Sequence, residues 1–270
     1  MKKSFLIYKK LFNSLRGSGI SKLPGIRSAT ISIAKKLKPE YIEFFGNKIY
    51  LSENDGSLNL LEEENDELDF LKKHIKFGDN VVDVGANIGW YTIIFAKIVG
   101  DKGKIYAFEP GMDNYKILRK NILQNNFKNV ISESFAVSNF NGSLNFELSK
   151  TGNHKVNQHG ISIKCIKLDD YFKNEKIDFV KIDAEGHEFK ILSGMQNILK
   201  NNFQIKMKIE FYYNLIKESG DEPGELLDLL IKNKFKFYDL RSKNAKVTKE
   251  ELLEKYSKNI GATDIFCIRE

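Results

Sequence analysis

The chain has 270 residues, of which 41% are hydrophobic, 12% aromatic and 29% charged, and its net charge is +7. This composition predicts a globular protein with a sizeable core and excludes a disordered chain, a collagen-like fibre and a disulfide scaffold. Residues 1–39 contain ten Lys or Arg and no Asp or Glu, so the remaining residues, with 33 basic and 36 acidic side chains, have a net charge of −3. The basic character therefore belongs to an N-terminal segment, and the composition gives no strong signal for nucleic-acid binding.

Cysteine content and apolar runs indicate the compartment. Cys165 and Cys267 each lie in an apolar, strand-like run and are expected to be buried free thiols in a reducing environment. His154 and His159 lie in a polar loop without an obvious further metal ligand. No apolar stretch reaches the roughly 18 residues of a membrane span, and the apolar run 5–8 is too short for a signal peptide. We therefore expect a cytoplasmic protein.

The N-terminal segment has the pattern of a basic amphipathic helix over residues 1–16, followed by a linker over 17–40. Such a helix predicts reversible attachment to an anionic membrane. A solvated tail and a helix packed on a partner subunit are the alternatives, and the oligomeric state is left open. The apolar positions at helical spacing are Phe5, Tyr8, Phe12 and Leu15.

Residues 41–77 predict a separate small unit. Tyr41–Phe45 and Lys48–Leu51 read as the strands of a hairpin joined by Gly46-Asn47, and an acidic helix follows over Glu62–Ile75.

From residue 78 to residue 270, apolar strands alternate with helices. This alternation predicts an α/β fold of the Rossmann-like kind, with a mostly parallel sheet covered by helices on both faces. Ligands of such sheets bind beyond the carboxyl ends of the strands. The predicted strands are 81–84, 104–108, 130–137, 144–148, 161–168, 177–182, 205–211, 235–240 and 264–268, and the predicted helices are 90–99, 112–124, 187–199 and 225–231.

A glycine turn follows the first of these strands. Gly85 allows the backbone to approach a ligand, and Gly89 allows close packing where the next helix begins. A dinucleotide fingerprint counted from Gly85 would need glycines at two positions that hold Asn87 and Trp90. A nicotinamide or flavin enzyme is therefore the weaker interpretation.

Acidic residues follow two further strands. Glu109 ends the strand 104–108, where a carboxylate can accept both hydroxyls of a ribose; the alternative is an acid that stabilises a helix start. The strand 177–182 leads into Asp183-Ala184-Glu185-Gly186-His187-Glu188. These residues either form a catalytic cluster or serve as helix cap and N-terminal charges, with Asp183 as the cap.

Four motifs together resemble the FkbM-type family of class I S-adenosylmethionine-dependent methyltransferases. The resemblance covers about residues 79–194 and leaves residues 1–60 outside. The motifs are Asp83-Val84-Gly85-Ala86-Asn87-Ile88-Gly89, Ala107-Phe108-Glu109-Pro110, Leu168-Asp169-Asp170 and Lys181-Ile182-Asp183-Ala184-Glu185-Gly186-His187-Glu188.

The resemblance implies a seven-stranded sheet with S-adenosyl-L-methionine as cofactor at its carboxyl edge. Gly85, Asn87 and Gly89 would form the turn against its methionine part, with Asp83 as a support below. Tyr91 and Thr92 would lie at the helix start near its carboxylate. Glu109 would bind the ribose, Ala136 would face the adenine, and Asp183 would line the pocket near the transferred methyl group.

The reaction needs the nucleophile aligned with the methyl group and, for a hydroxyl, a base. His187 is the first candidate for the base because its reference pKa is closest to neutral, and Asp183, Glu185 and Glu210 are alternatives. No spacing among the carboxylates requires a metal ion.

The sequence thus predicts an O-methyltransferase acting on a hydroxyl of a sugar, glycolipid or small metabolite. A non-catalytic cofactor-binding or scaffold protein of the same fold is the main alternative. An RNA methyltransferase, with the basic N-terminal segment as anchor, is a weaker one because no aromatic–basic stacking pattern is evident.

Overall fold

The computed structural model describes residues 39–51, 65–147, 155–156, 160–258 and 261–269. The predicted amphipathic helix, the linker up to residue 38, His154 and His159 lie outside the described residues. The strands are β1 (Tyr41–Phe44), β2 (Asn47–Tyr50), β3 (Asn80–Val84), β4 (Lys104–Phe108), β5 (Val130–Glu133), β6 (Ala136–Ser138), β7 (Gly142–Glu147), β8 (Lys155–Val156), β9 (Ile161–Lys167), β10 (Phe179–Ile182), β11 (Lys206–Phe211), β12 (Lys236–Asp239), β13 (Ala245–Val247) and β14 (Thr263–Ile268). The α-helices are α1 (Asn65–His74), α2 (Trp90–Val99), α3 (Met112–Gln124), α4 (Leu168–Phe172), α5 (Glu188–Ser193), α6 (Gln196–Asn201), α7 (Tyr213–Glu218), α8 (Pro223–Lys232) and α9 (Lys249–Ser257).

The main sheet has eight strands within the described residues, in the order β13-β12-β14-β11-β10-β3-β4-β5. Neighbours from β11 to β5 pair in parallel, whereas β14 runs antiparallel to both β11 and β12. The prediction of a mostly parallel sheet is confirmed. The sheet has eight strands instead of the expected seven, because β13 pairs antiparallel with β12 at the edge. β13 is short and contains no apolar run, so the sequence pattern did not indicate it.

Central strands are buried on both faces, as a parallel sheet between helices requires. All four residues of β10 are buried, and four of the five residues of β3 are buried. Apart from Asp83 and Lys181, the buried residues of these two strands are apolar, as expected for strands with helices on both sides. The parallel strands β3, β4, β10 and β11 end at the same edge of the sheet, where the loops after β3, β4 and β10 form the site described below.

A second, smaller sheet has the order β6-β9-β7-β8. The predicted strand over residues 130–137 is two strands, because the chain leaves the main sheet after β5 and joins the small sheet as β6. Only the pairing partners distinguish the two strands. Those partners are β4 for β5 and β9 for β6.

The helix predicted over residues 187–199 is also divided, into α5 and α6. Gly194 lies between them, and a Cβ atom there would be 2.3 Å from the carbonyl oxygen of Ser138. This close approach to β6 fixes the break. The sequence prediction also missed α4, α7 and α9, and its strand 161–168 included Leu168, which begins α4. For α9 a signal was present, because Thr248 and Glu251 form a capping box at its start.

The hairpin and α1 pack on the core of the main domain. β1 and β2 pair antiparallel with Phe45-Gly46 as the turn, one residue earlier than predicted. Ile42 and Ile49 are buried in the same apolar cluster as Leu71 of α1 and Phe95 of α2. None of the described helices is long and apolar enough to span a membrane.

Candidate functional site

A cavity opens where β3, β4 and β10 end, with about 670 Å³ of unfilled space counting its open mouth. Three carboxylates belong to its lining, and no Lys or Arg does among the described residues. The lining residues are Val84, Gly85, Asn87, Phe108, Glu109, Pro110, Asn114, Phe135, Ala136, Val137, Leu144, Asp183, Ala184, Glu185, His187 and Ile191.

The glycine turn after β3 forms one wall. Gly85 has φ +72°, and a Cβ atom there would lie 1.8 Å from the carbonyl oxygen of Asp183, so glycine is required by both conformation and space. Asn87 has φ +51°, a left-handed conformation that asparagine tolerates better than most residues. The N–H groups of Gly85 and Ala86 both donate to the carbonyl of Phe108 at 3.0 Å, which ties the turn to β4.

Glu109 links this turn to the loop after β4. One carboxylate oxygen accepts the backbone N–H of Asn87 at 2.7 Å, and the other accepts that of Gly111 at 2.8 Å. Burial raises the pKa of Glu109 to about 7, against the opposing effect of the two N–H groups. Each carboxylate oxygen retains a lone pair, so the side chain can still accept hydroxyl donors from the cavity.

Four predicted cofactor residues lie behind the turn and outside the cavity lining. Asp83 is completely buried and accepts the hydroxyl of Thr92 at 2.6 Å. The hydroxyl of Tyr91 donates to Glu67 of α1 at 2.7 Å. Gly89, with φ +91°, packs against Leu118 of α3, where a Cβ atom would approach to 2.6 Å. These four residues pack behind the turn, whereas Gly85 and Asn87 line the cavity.

The loop after β10 forms the opposite wall with Asp183, Glu185 and His187. Glu188 holds this loop, because one carboxylate oxygen accepts the N–H groups of Ala184 and Gly186 at 2.9 and 3.2 Å. Burial raises the pKa of Glu188 to about 7. The alternative in which Asp183 caps the following helix is wrong, because the N-cap residue immediately before α5 is His187.

His187 is mostly buried beside the small sheet. Its Nε2 atom lies 3.5 Å from the hydroxyl of Ser138, and only 8% of the residue is exposed. Burial, reinforced by the charge of Lys190, lowers the pKa of His187 to about 4. The ring is therefore neutral at pH 7 and is a weak base.

Glu210 does not line the cavity. It follows Ile209, which pairs with Ile182, so it lies at the same sheet edge as Asp183. One of its carboxylate oxygens is buried without a hydrogen-bond partner. Burial, followed by the charges of Asp183 and Glu188, raises the pKa of Glu210 well above its usual value and favours the protonated form, which cannot take up a proton.

The remaining wall is apolar, and the sequence anticipated only part of it. Ala136 of β6 lies on the cavity as predicted from the resemblance, together with Phe135 and Leu144, which were missed. Leu144 belongs to β7, and only the pairing of the small sheet places it here. Asn114, in the first turn of α3, could have been found from its position after a strand end.

Within the part of the chain that the structure describes, no group of three or more His, Cys, Asp or Glu side chains is arranged to hold a metal ion. Both cysteines are buried and free, as expected from their apolar surroundings.

Similarity to known proteins agrees with this architecture. The model of the methyltransferase FkbM domain matches residues 83–237. Hexuronic acid methyltransferase AglP from Haloferax volcanii is 32% identical over 178 residues, which are 63% of this chain and 69% of that protein.

Solved structures resemble the chain more distantly. A SAM dependent methyltransferase from Aquifex aeolicus is 16% identical, with 79% of this chain and 94% of that chain covered and a TM-score of 0.45. SMU.1697c from Streptococcus mutans, solved in complex with SAH, is 14% identical, with 76% and 96% covered and a TM-score of 0.46. The family match over more than half of the chain, together with the sequence identity to AglP, shows that the chain belongs to the FkbM methyltransferase family.

Proposed function

We propose that this methyltransferase takes its methyl group from S-adenosylmethionine and transfers it to a hydroxyl group of a sugar. The observation that carries the choice of donor is the charge of the cavity, which is lined by Glu109, Asp183 and Glu185 and, among the described residues, by no Lys or Arg. Such a lining favours a ligand with positive groups and disfavours the pyrophosphate of a dinucleotide.

The residues present fit the donor in three regions. Glu109 retains lone pairs for ribose hydroxyls, and Phe135, Ala136 and Leu144 offer an apolar wall for adenine. Asp183 and Glu185 bring negative charge to the opposite wall, where a cationic group would be stabilised. When bound, S-adenosylmethionine supplies an electrophilic methyl group on a positively charged sulfur.

The candidates for removing the acceptor proton are the three titratable residues on the wall after β10, namely Asp183, Glu185 and His187. We propose Asp183 as the base, because it lines the cavity, its side chain is 36% exposed, and the buried Lys181, whose Nζ lies 3.3 Å from one of its oxygens, fixes its position. His187 is neutral and can accept a hydrogen bond from the hydroxyl, but only 8% of this residue is exposed, so it is less accessible to an acceptor than Asp183.

A sugar acceptor is supported by the relative that acts, by its name, on a hexuronic acid. The full chain should be incubated with methyl-labelled S-adenosylmethionine and a panel of free sugars, hexuronic acids and glycolipids. We expect label in a sugar product. Labelling of RNA but of no sugar would refute the proposed acceptor class, and a chain that binds the donor without any transfer would support the scaffold alternative.

The base is tested with the best acceptor of that panel. We expect Asp183→Asn to lower kcat by about 100-fold, the usual range for loss of a general base, and His187→Ala to lower it less. Equal turnover of Asp183→Asn and the wild-type chain would remove Asp183 from this role. If turnover of His187→Ala is unchanged across about pH 6 to 9, His187 is not the base.

We propose further that residues 78–270 form the methyltransferase domain and that residues 1–16 attach it to anionic membranes. The ten basic residues and the absence of acidic ones before residue 40 support the attachment. Co-sedimentation with anionic and neutral vesicles tests this attachment. We expect the full chain to sediment with anionic vesicles more than a chain that begins at Lys38 does. Equal sedimentation of the two chains would refute the attachment.

A further inference from the structure

Lys181 lies in the middle of the main sheet, directly below the cavity. It belongs to β10, where it pairs with Asp83 of β3 on one side and with Lys208 of β11 on the other. Its side chain is only 2% exposed. A lysine this deeply buried needs partners for its charge, because desolvation disfavours the charged form.

Three oxygen atoms surround the ammonium group. The Nζ atom donates to the carbonyl of Gly85 at 3.0 Å and lies 3.3 Å from one carboxylate oxygen each of Asp83 and Asp183. The carbonyl of Gly85 accepts a hydrogen bond from the ammonium group, and the two carboxylates lie at ion-pair distance, so the side chain is held between the three residues. Although burial acts in the opposite direction, the charges of Asp183 and Asp83 raise the pKa of Lys181 above its usual value.

Two of the three partners belong to the two walls of the cavity. Gly85 is in the turn after β3, and Asp183 begins the loop after β10; both line the cavity. Their backbones are also joined, since the N–H of Asp183 donates to the carbonyl of Val84 at 3.2 Å. Lys181 therefore joins from below the two segments that face any ligand held there.

We propose that Lys181 is a positioning residue, which holds the Gly85 turn and the Asp183 carboxylate in the arrangement that binds the methyl donor. This inference rests on the proposed use of S-adenosylmethionine. Lys181 does not itself line the cavity, so it acts on a ligand there through Gly85 and Asp183.

Lys208 provides a matched control in the neighbouring strand. Its side chain is also 2% exposed, and its ammonium lies 2.5 Å from Asp264 and 3.3 Å from Glu67. Both lysines lie over the ring of Tyr91, at 5.3 Å for Lys181 and 4.9 Å for Lys208. The two lysines thus have equal burial and similar chemistry, but Asp264 and Glu67 do not line the cavity, whereas Gly85 and Asp183 do.

The single variant Lys181→Met would leave Asp83 as a buried, unpaired charge, which is strongly destabilising. The decisive variant is therefore the double change Asp83→Asn with Lys181→Met, which removes both buried charges. Its control is Asp264→Asn with Lys208→Met, which removes Lys208 of β11 and its partner Asp264 of β14. Thermal unfolding of the full chain measures stability, and calorimetry with S-adenosylhomocysteine measures binding.

We expect the Asp83/Lys181 double variant to bind S-adenosylhomocysteine about tenfold more weakly than wild type, as the loss of a hydrogen bond from a charged group predicts. The Asp264/Lys208 double variant should bind within about threefold of wild type, even where its loss of thermal stability is equal or larger. Equal losses of affinity in both variants would show a general effect of the buried charges and overturn the inference.

The proposed donor and the role of Lys181 fail in distinguishable ways. A wild-type chain that does not bind S-adenosylhomocysteine refutes the donor, and the role of Lys181 with it. A wild-type chain that binds, together with an Asp83/Lys181 variant of unchanged affinity, refutes only the role of Lys181.

Discussion

Glu109 accepts the backbone N–H of Asn87 at 2.7 Å, so the acid that ends β4 holds the glycine turn that ends β3. The same carboxylate accepts the N–H of Gly111 at the start of α3. One buried side chain therefore fixes two loops of the cavity and still presents acceptor lone pairs to it. This double role makes Glu109 the most informative position to change.

The variant Glu109→Gln should bind S-adenosylhomocysteine about tenfold more weakly, because one of its two oxygens becomes an N–H₂ donor facing a backbone N–H. In the wild-type chain the affinity should rise between about pH 6 and 8, as the group with a pKa of about 7 ionises. Calorimetry at several pH values checks both points. A Glu109→Gln variant with the same affinity and pH dependence as wild type would contradict the assignment.

The raised pKa of Glu109 also affects stability. The folded-state pKa lies above the unfolded-state value of 4.5. The contribution of Glu109 to the free energy of unfolding is therefore fully present below pH 4.5 and is lost as the pH rises through about 7. The free energy of unfolding, measured with urea across this pH range, should decline less steeply for Glu109→Gln than for wild type. Glu188, whose pKa is also raised to about 7, contributes equally to both chains and serves as an internal reference.

Gly85→Ala should destabilise the protein by more than about 3 kcal/mol, because a methyl group at φ +72° would collide with the backbone of Asp183. Gly220→Ala is the control: Gly220 also has a positive φ, +86°, but a Cβ atom there meets nothing within 4 Å. Gly220→Ala should lower the free energy of unfolding by about 1 kcal/mol, because only the positive φ opposes the new side chain. Equal costs by chemical unfolding would show that the contact with Asp183 is unimportant.

His187 should make stability fall on acidification. Its folded-state pKa of about 4 lies below the usual 6.5, so its contribution is present above about 6.5 and is lost as the pH falls through about 4. We expect the stability of His187→Gln to decline less over this interval, as measured by urea unfolding. A decline identical to that of wild type would mean that the ring is not desolvated in solution.

Asp169, part of the third sequence motif, has a structural role. Its carboxylate accepts the N–H groups of Asn197 and Ile198 at 3.0 and 2.9 Å and so caps α6 from α4. Asp169→Ala should cost about 1–2 kcal/mol of stability and leave affinity for S-adenosylhomocysteine unchanged. The neighbouring exposed Asp170, which bonds Asn141, is the control and should cost less than about 0.5 kcal/mol when replaced by Ala. A loss of affinity in Asp169→Ala would instead connect this motif to the cavity.

The sequence by itself indicated most strands and helices of the main domain, the mostly parallel sheet and a resemblance to the family, although it missed short elements such as β13, α7 and α9. These features are readable because largely apolar strands such as β3 and β10 are buried on both faces. In addition, the turn after β3 requires glycine at position 85. The strand ends pointed to Gly85, Glu109 and Asp183, and the family resemblance added Asn87; all four line the cavity.

Tertiary structure alone decided which of the polar residues face the cavity and which support it. Thr92 and Tyr91 follow the glycine turn in sequence, yet their hydroxyls bind Asp83 and Glu67 behind it. Lys181 reads as one charge in an apolar strand, and only the packing of β3 beside β10 surrounds it with three oxygens. Leu144 reaches the cavity through the pairing of the small sheet. Strand pairing and burial act between residues far apart in the chain, so local sequence patterns do not contain them.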